Sequence, residues 1–233
     1  MTEEITLTVE GEDIKAIFAK PEGEGPFPGI VLTYHKGGID PFTHWLADDL
    51  ARAGFVTVCP DHFHWLPEGV STDDRKDHLF DTRIAADLAV SRGYLECLDS
   101  VNGDSIGIVG HCMGGRNAFL GIGVDPHYQA ACIWYSGGMF RTQGGDGPSP
   151  FDRLENVTCP VMGFFGNNDK NPSPDDVNKF DAALTAAGAE HEFHRYDNTG
   201  HGFMDPDHDG AYVESSAKDS WGRALKFLTE RLA

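Results

Sequence analysis

With 233 residues the chain can bury a large core unaided by disulfides or metals. Two cores would need about 100 residues each, so a single domain over 1–233 is expected. Charged residues at 24% and the hydrophobic set at 40% are ordinary globular values and exclude a disordered chain. Lys plus Arg at 18 against Asp plus Glu at 37 leaves a net charge of -19, which argues against nucleic-acid binding and docking on anionic membranes.

The opening MTEEITLTVEGED has no basic segment followed by an apolar one, so no signal peptide is expected. No apolar run approaches the roughly 18 residues of a membrane span. Cys59, Cys97, Cys112, Cys132 and Cys159 are irregularly spaced and include no CxxC. An odd, unpatterned set reads as free thiols in a reducing compartment, so a cytoplasmic location is expected.

Two alternating runs, Ile5 to Val9 and Ile14 to Phe18, flank the turn-like Gly11-Glu12-Asp13 and predict a hairpin. The run from Gly29 to Tyr34 has the unbroken apolar character of a strand buried on both faces. Trp45, Leu46, Leu50 and Ala53 recur at helical spacing until Gly54. Phe55 to Cys59 is a strand ended by Pro60, and a loop rich in His, Trp and acid runs to about Asp77. Leu79 to Leu98 is helical by period, Ser105 to Val109 a strand, and a helix starts at Met113. Strands follow at Ala131 to Tyr135, Val161 to Phe165 and Glu192 to Tyr196. A helix covers roughly Asp176 to Ala187, and the last helix carries a stripe from Val213 to Leu232. This alternation predicts an open, mostly parallel α/β sheet with helices on both faces. Gly137 to Pro150 is the loosest segment and reads as a surface or lid loop.

The segment Gly110-His111-Cys112-Met113-Gly114-Gly115 sits between a strand and a helix. It has the Gly-x-nucleophile-x-Gly form of a nucleophile elbow, with Cys at its centre. The turn is so tight that side chains at 110 or 114 would strike neighbouring elements. The helix start points free N–H groups and its positive dipole end at the thiol, which lowers the thiol pKa and offers the Met113 N–H as an oxyanion donor. Downstream, Asp169 follows the Val161–Phe165 strand and His201 lies between Gly200 and Gly202 after the next. Nucleophile, acid and His in this order, each just past a strand, predict a triad of Cys112, Asp169 and His201.

The chain resembles the dienelactone hydrolases of the α/β-hydrolase superfamily over nearly its whole length. The resemblance rests on the Pro-Gly-Ile-Val-Leu strand, Ala-Gly-Phe-Val-Thr-Val-Cys-Pro-Asp at 53–61, Gly-His-Cys-Met-Gly-Gly, and Gly-His-Gly-Phe at 200–203. It implies the α/β-hydrolase fold with about eight strands, and a hydrolase of lactones or esters that works through a thioester with neither metal nor organic cofactor. It implies Cys112 as nucleophile, His201 as base, Asp169 as its orienter, and the Lys36 N–H as second oxyanion donor. The family's dienelactone enzymes carry a glutamate where this chain has His35. They carry a carboxylate-binding arginine where it has Asp205 or Met204. An esterase for neutral esters is therefore an alternative to a lactonase for carboxylated substrates. From another class, a redox sensor or binding protein with Cys112 as a reactive thiol is a second alternative, though it would need no complete triad.

The loop after Pro60-Asp61 places His62, His64 and Trp65 as candidate pocket-rim residues, with His35 and Tyr135 as further wall candidates. His62-x-His64 could hold a metal with His35 or His44 as third ligand, but rim histidines are the plainer reading, so no metal is expected. Arg75 and Arg83 are the nearest candidates to replace the missing arginine.

Overall fold

The computed structural model describes residues 1–67, 69–208 and 210–232. The expected hairpin is present as β1 (Glu3–Val9) and β2 (Glu12–Ala19), turning at Glu10 and Gly11. After it come β3 (Phe27–Thr33), α1 (Pro41–Arg52), β4 (Val56–Pro60), α2 (Asp81–Glu96), β5 (Val101–His111), α3 (Met113–Val124) and β6 (Ala130–Trp134). The chain ends with β7 (Val161–Gly166), α4 (Pro174–Ala187), β8 (His191–Tyr196) and α5 (Glu214–Leu232).

The eight strands form one sheet in the order β1-β2-β4-β3-β5-β6-β7-β8. β1 and β2 pair antiparallel, β2 joins β4 antiparallel, and every later neighbour is parallel. The parallel strands are buried on both faces: Ile30, Val31, Leu32, Val56, Val58, Ile108 and Ile133 are fully buried. This is why they read as continuous apolar runs and not as alternation.

Local chemistry sets the helix ends. Asp40 caps α1, its carboxylate accepting from the Thr43 N–H, with Pro41 in the first turn. Ser173 and Asp176 form a capping box on α4, and Gly188 ends it in the left-handed region. The structure departs from the sequence reading in lengths. β5 runs eleven residues instead of the five from Ser105 to Val109, because Val101 pairs with Phe27 before the register shifts. Short 3-10 turns at Arg75–His78 and Phe151–Asn156 were not expected. None of the described helices is long and apolar enough to cross a membrane.

Candidate active site

The parallel strands all end on the same edge of the sheet, where such sheets carry their ligand sites. β5 ends at His111, and Cys112 follows with φ 57 and ψ -122 before α3 begins. A positive φ on a non-glycine residue is a strained conformation held by its surroundings. The constraint is steric: a Cβ at Gly110 would lie 2.2 Å from the Gly114 carbonyl oxygen, and one at Gly114 would lie 2.4 Å from the Thr33 carbonyl. The Thr33 hydroxyl locks the turn by donating to the Gly114 carbonyl at 2.6 Å.

His201 Nε2 lies 3.0 Å from Cys112 Sγ, and His201 Nδ1 lies 2.8 Å from Asp169 Oδ2. The other Asp169 oxygen accepts from the Asn171 N–H at 2.9 Å, so this buried carboxylate is fixed by two partners. Burial alone would push the Cys112 thiol up. The hydrogen bond and charge of His201, the Met113 N–H and the charge of His35 outweigh burial and bring the thiol below its ordinary range. Burial would lower His201, but its bonds to Asp169 and Cys112 raise it. The two shifts have opposite sign, and both act in favour of the thiolate–imidazolium form of the pair.

His35 follows β3 and reaches Asp40 Oδ2 at 2.7 Å through Nε2. Burial opposes its charge, yet the Asp40 hydrogen bond and charge and the nearby Cys112 raise it overall. Its ring stacks on His111 at 5.4 Å between centroids. His111 is buried, and burial together with the charges of His35 and His201 pushes it down to about 3, so it is neutral. Tyr135, also at positive φ, packs edge-on against His201 at 4.9 Å.

These residues line a cavity of about 290 Å³. Cys112, His201, Met113, Lys36, His35 and Tyr135 are all on its wall, and the Gly137–Pro150 loop contributes Gly138, Arg141 and Gln143.

The sequence pattern described as "Dienelactone hydrolase family" matches residues 14–232. The chain belongs to the dienelactone hydrolase family. Among curated relatives, the carboxymethylenebutenolidase of Rhodococcus opacus is 28% identical over 218 residues, spanning 87% of this chain and 81% of its own. A Synechocystis protein provisionally named a carboxymethylenebutenolidase is 24% identical over 237 residues, spanning 97% of this chain and 96% of its own. A crystal structure from Klebsiella pneumoniae, provisionally named a dienelactone hydrolase, superposes with a TM-score of 0.91 at 26% identity over 99% of this chain and 98% of that one. The eight-stranded, mostly parallel sheet is thus the α/β-hydrolase fold, and this dienelactone hydrolase family member is a hydrolase.

Four expected rim residues of this hydrolase lie elsewhere. His62 and His64 both turn to Asp87 on α2, with Nδ1 of His62 at 2.9 Å and Nε2 of His64 at 3.1 Å. A buried carboxylate needs such partners, and it draws both rings away from the cavity. Trp65 packs on Phe80 and under the Arg83 guanidinium, which ties Arg83 there too. Arg75 donates to the Gly37 carbonyl at 3.2 Å and lies over Phe63, in a separate cleft. His44 bonds Thr2 and lies outside any His62–His64 grouping. The sequence reading missed Arg116 and Arg141, which do line the cavity. Arg116 was legible as the residue one turn past Cys112 on the same helix. Arg141 had no signal, because its loop has no period.

Proposed function

We propose that this hydrolase cleaves carboxylic esters or lactones through Cys112, His201 and Asp169. The observation that carries the reading is the unbroken chain from Sγ through the imidazole to a buried carboxylate, 3.0 Å and then 2.8 Å, on a strained elbow.

The mechanism starts from the thiolate–imidazolium pair that the opposite pKa shifts favour. Cys112 Sγ attacks the carbonyl carbon, and the carbonyl π electrons move onto oxygen. The N–H groups of Met113, at the start of α3, and of Lys36 are the proposed donors to that oxyanion. When the oxyanion collapses, the C–O bond to the leaving group breaks, and His201 gives its Nε2 proton to the departing alkoxide. The acyl group is then a thioester on Cys112. Neutral His201 takes a proton from water, the hydroxide attacks the thioester, and collapse expels the Cys112 thiolate beside a restored imidazolium. Asp169 holds Nδ1–H throughout and so fixes the tautomer that presents Nε2 to sulfur.

A specific observation favours neutral esters over the family's carboxylated lactones. Asp205 lines the cavity where the resemblance puts an arginine, and it repels a carboxylate there. The Arg116 guanidinium is already spent on Asp81, at 2.7 and 3.0 Å. Arg141, alone among the cavity's lysine and arginine side chains in having no ion-pair partner among the described residues, is the single cation left to offset Asp205 for a carboxylated substrate. A cytoplasmic location is part of the proposal, supported by all five cysteines being free.

Hydrolysis of p-nitrophenyl acetate by the wild type and by Cys112→Ala tests the reading. The expected result is turnover by the wild type and a loss of at least about 1,000-fold in kcat for the variant. Wild-type rates in Cys112→Ala would remove the assignment. A wild type that is alkylated rapidly at Cys112 but turns over no ester or lactone would favour the thiol sensor.

A further inference from the structure

A second concavity opens beside the Cys112 cavity and is nearly all apolar. It measures about 340 Å³ and is walled by Phe42 and Trp45 of α1, Met204, Tyr212, and Trp221 of α5. Phe42 and Asp205 line both spaces, so the two are adjacent. We propose that this groove is a second substrate subsite, which takes a neutral apolar arm, aryl or alkyl, of the ester held at Cys112. The inference rests on the hydrolase reading and names the substrate class within it.

Three features support the assignment. The first is a continuous aromatic wall leading outward from the nucleophile. His111, next to Cys112, meets Phe42 edge-on at 5.1 Å, Phe42 stacks on Trp45 at 5.9 Å, and Trp45 meets Trp221 at 5.7 Å. The Trp221 indole donates to Asp49 at 2.6 Å, which fixes its ring as a rigid surface. The second is exposure. Trp45 is 44% and Tyr212 38% exposed, and large aromatics left in water beside a cavity mark a surface that gains by being covered.

The third is charge. Asp205 and Asp207 border the groove, and its lysine, Lys218, is paired with Glu214 at 2.6 Å. A carboxylate is repelled there and a neutral arm is not. The occupant is a ligand arm and not a second copy of the chain. Its volume is of the size that holds one small apolar group, whereas a stable interface needs about 800 Å² from each partner.

Two ester series measure the effect, one lengthening the acyl arm from acetate to hexanoate and one varying the alcohol arm from methyl to benzyl and 2-naphthyl. In one series, kcat/KM should rise about fourfold per added methylene, or by a comparable gain per unit of aryl surface. Trp45→Ala and Tyr212→Ala should each cut the long-to-short ratio by about tenfold. Val124→Ala, an exposed apolar residue outside the groove, should keep the wild-type ratio. Flat profiles in both series, or an unchanged ratio in both groove variants, would overturn the proposal. So would a dimer that either variant dissociates while the ratio stays fixed.

A turnover-independent readout separates this from failure of the hydrolase reading. Indole N–H resonances of Trp45 and Trp221 should shift on titration with benzyl alcohol and not with benzoate. No shift with benzyl alcohol would overturn the subsite whatever the enzyme hydrolyses. Ester turnover that survives Cys112→Ala would count against the hydrolase mechanism alone.

Discussion

Cys112 sits among three imidazoles, two made more basic by their surroundings and one made less basic. His201 is raised by Asp169 and Cys112, His35 is raised by Asp40, and His111 is kept neutral by burial and by those two neighbours. A glutamate in place of His35 would oppose a thiolate, whereas a protonated His35 favours one. The sign follows from the direction of the shift: His35 is raised, so it carries charge to a higher pH than an ordinary histidine, and through that range it depresses the thiol. The apparent pKa of Cys112, read from the pH dependence of its iodoacetamide rate, should therefore rise in His35→Ala and rise further in His35→Glu. Identical profiles in all three proteins would reduce His35 to a wall residue. The three side chains of the proposed triad were legible in the sequence because each follows a strand, with Gly110 and Gly114 two residues either side of Cys112 and Gly200 and Gly202 flanking His201. The Asp40 partner of His35 was not, since an aspartate before a proline reads first as a helix cap, which it also is.

At the scale of elements, the site depends on a brace between α2, α3 and the 137–150 loop. Arg116 is buried and binds Asp81 through two nitrogens, and it donates to the Gly138 and Arg141 carbonyls at 3.1 and 2.6 Å. Removing one partner leaves a buried charge unpaired. Arg116→Met should lower stability by about 3–5 kcal/mol in urea unfolding. It should also raise KM, because the loop that carries Arg141 loses its anchor. A loss below about 1 kcal/mol would mean that Asp81 finds water or another donor. The elbow is a second dependence. Gly110→Ala places a methyl against the Gly114 carbonyl and Thr33, so its Tm should fall and its ester activity should be largely lost. An unchanged Tm would show that the turn can open. The strands and helices were legible by period, and the elbow by its glycines. The destination of the 62–65 side chains was not, because nothing in the sequence of that loop says that Asp87, one helix away, will draw both histidines.

For the whole molecule, the net charge of -19 acts at long range on any charged ester. Salt screens such a field over about 8 Å at physiological ionic strength. KM for an anionic ester such as a succinate half-ester should therefore fall as salt rises, and KM for its neutral methyl ester should stay nearly constant. Equal responses would show that a local cation, such as Arg141, governs the approach of anions instead. Alternating elements made the parallel sheet legible. The strand order did not follow from any local pattern: β3 lies between β4 and β5, which brings His35 beside the Cys112 elbow, and only the packed sheet fixes that neighbourhood.

The central claim is that one thiol, ionised by His201, performs the attack. The most direct measurement is alkylation at pH 6.5 with one equivalent of iodoacetamide in a Cys97→Ser background, which removes the exposed competing thiol. Labelling is mapped by peptide mass while ester turnover is followed in the same sample. The account requires the label on Cys112 and a loss of activity in step with labelling, both slowed strongly by His201→Ala. Full activity with Cys112 stoichiometrically modified would contradict it.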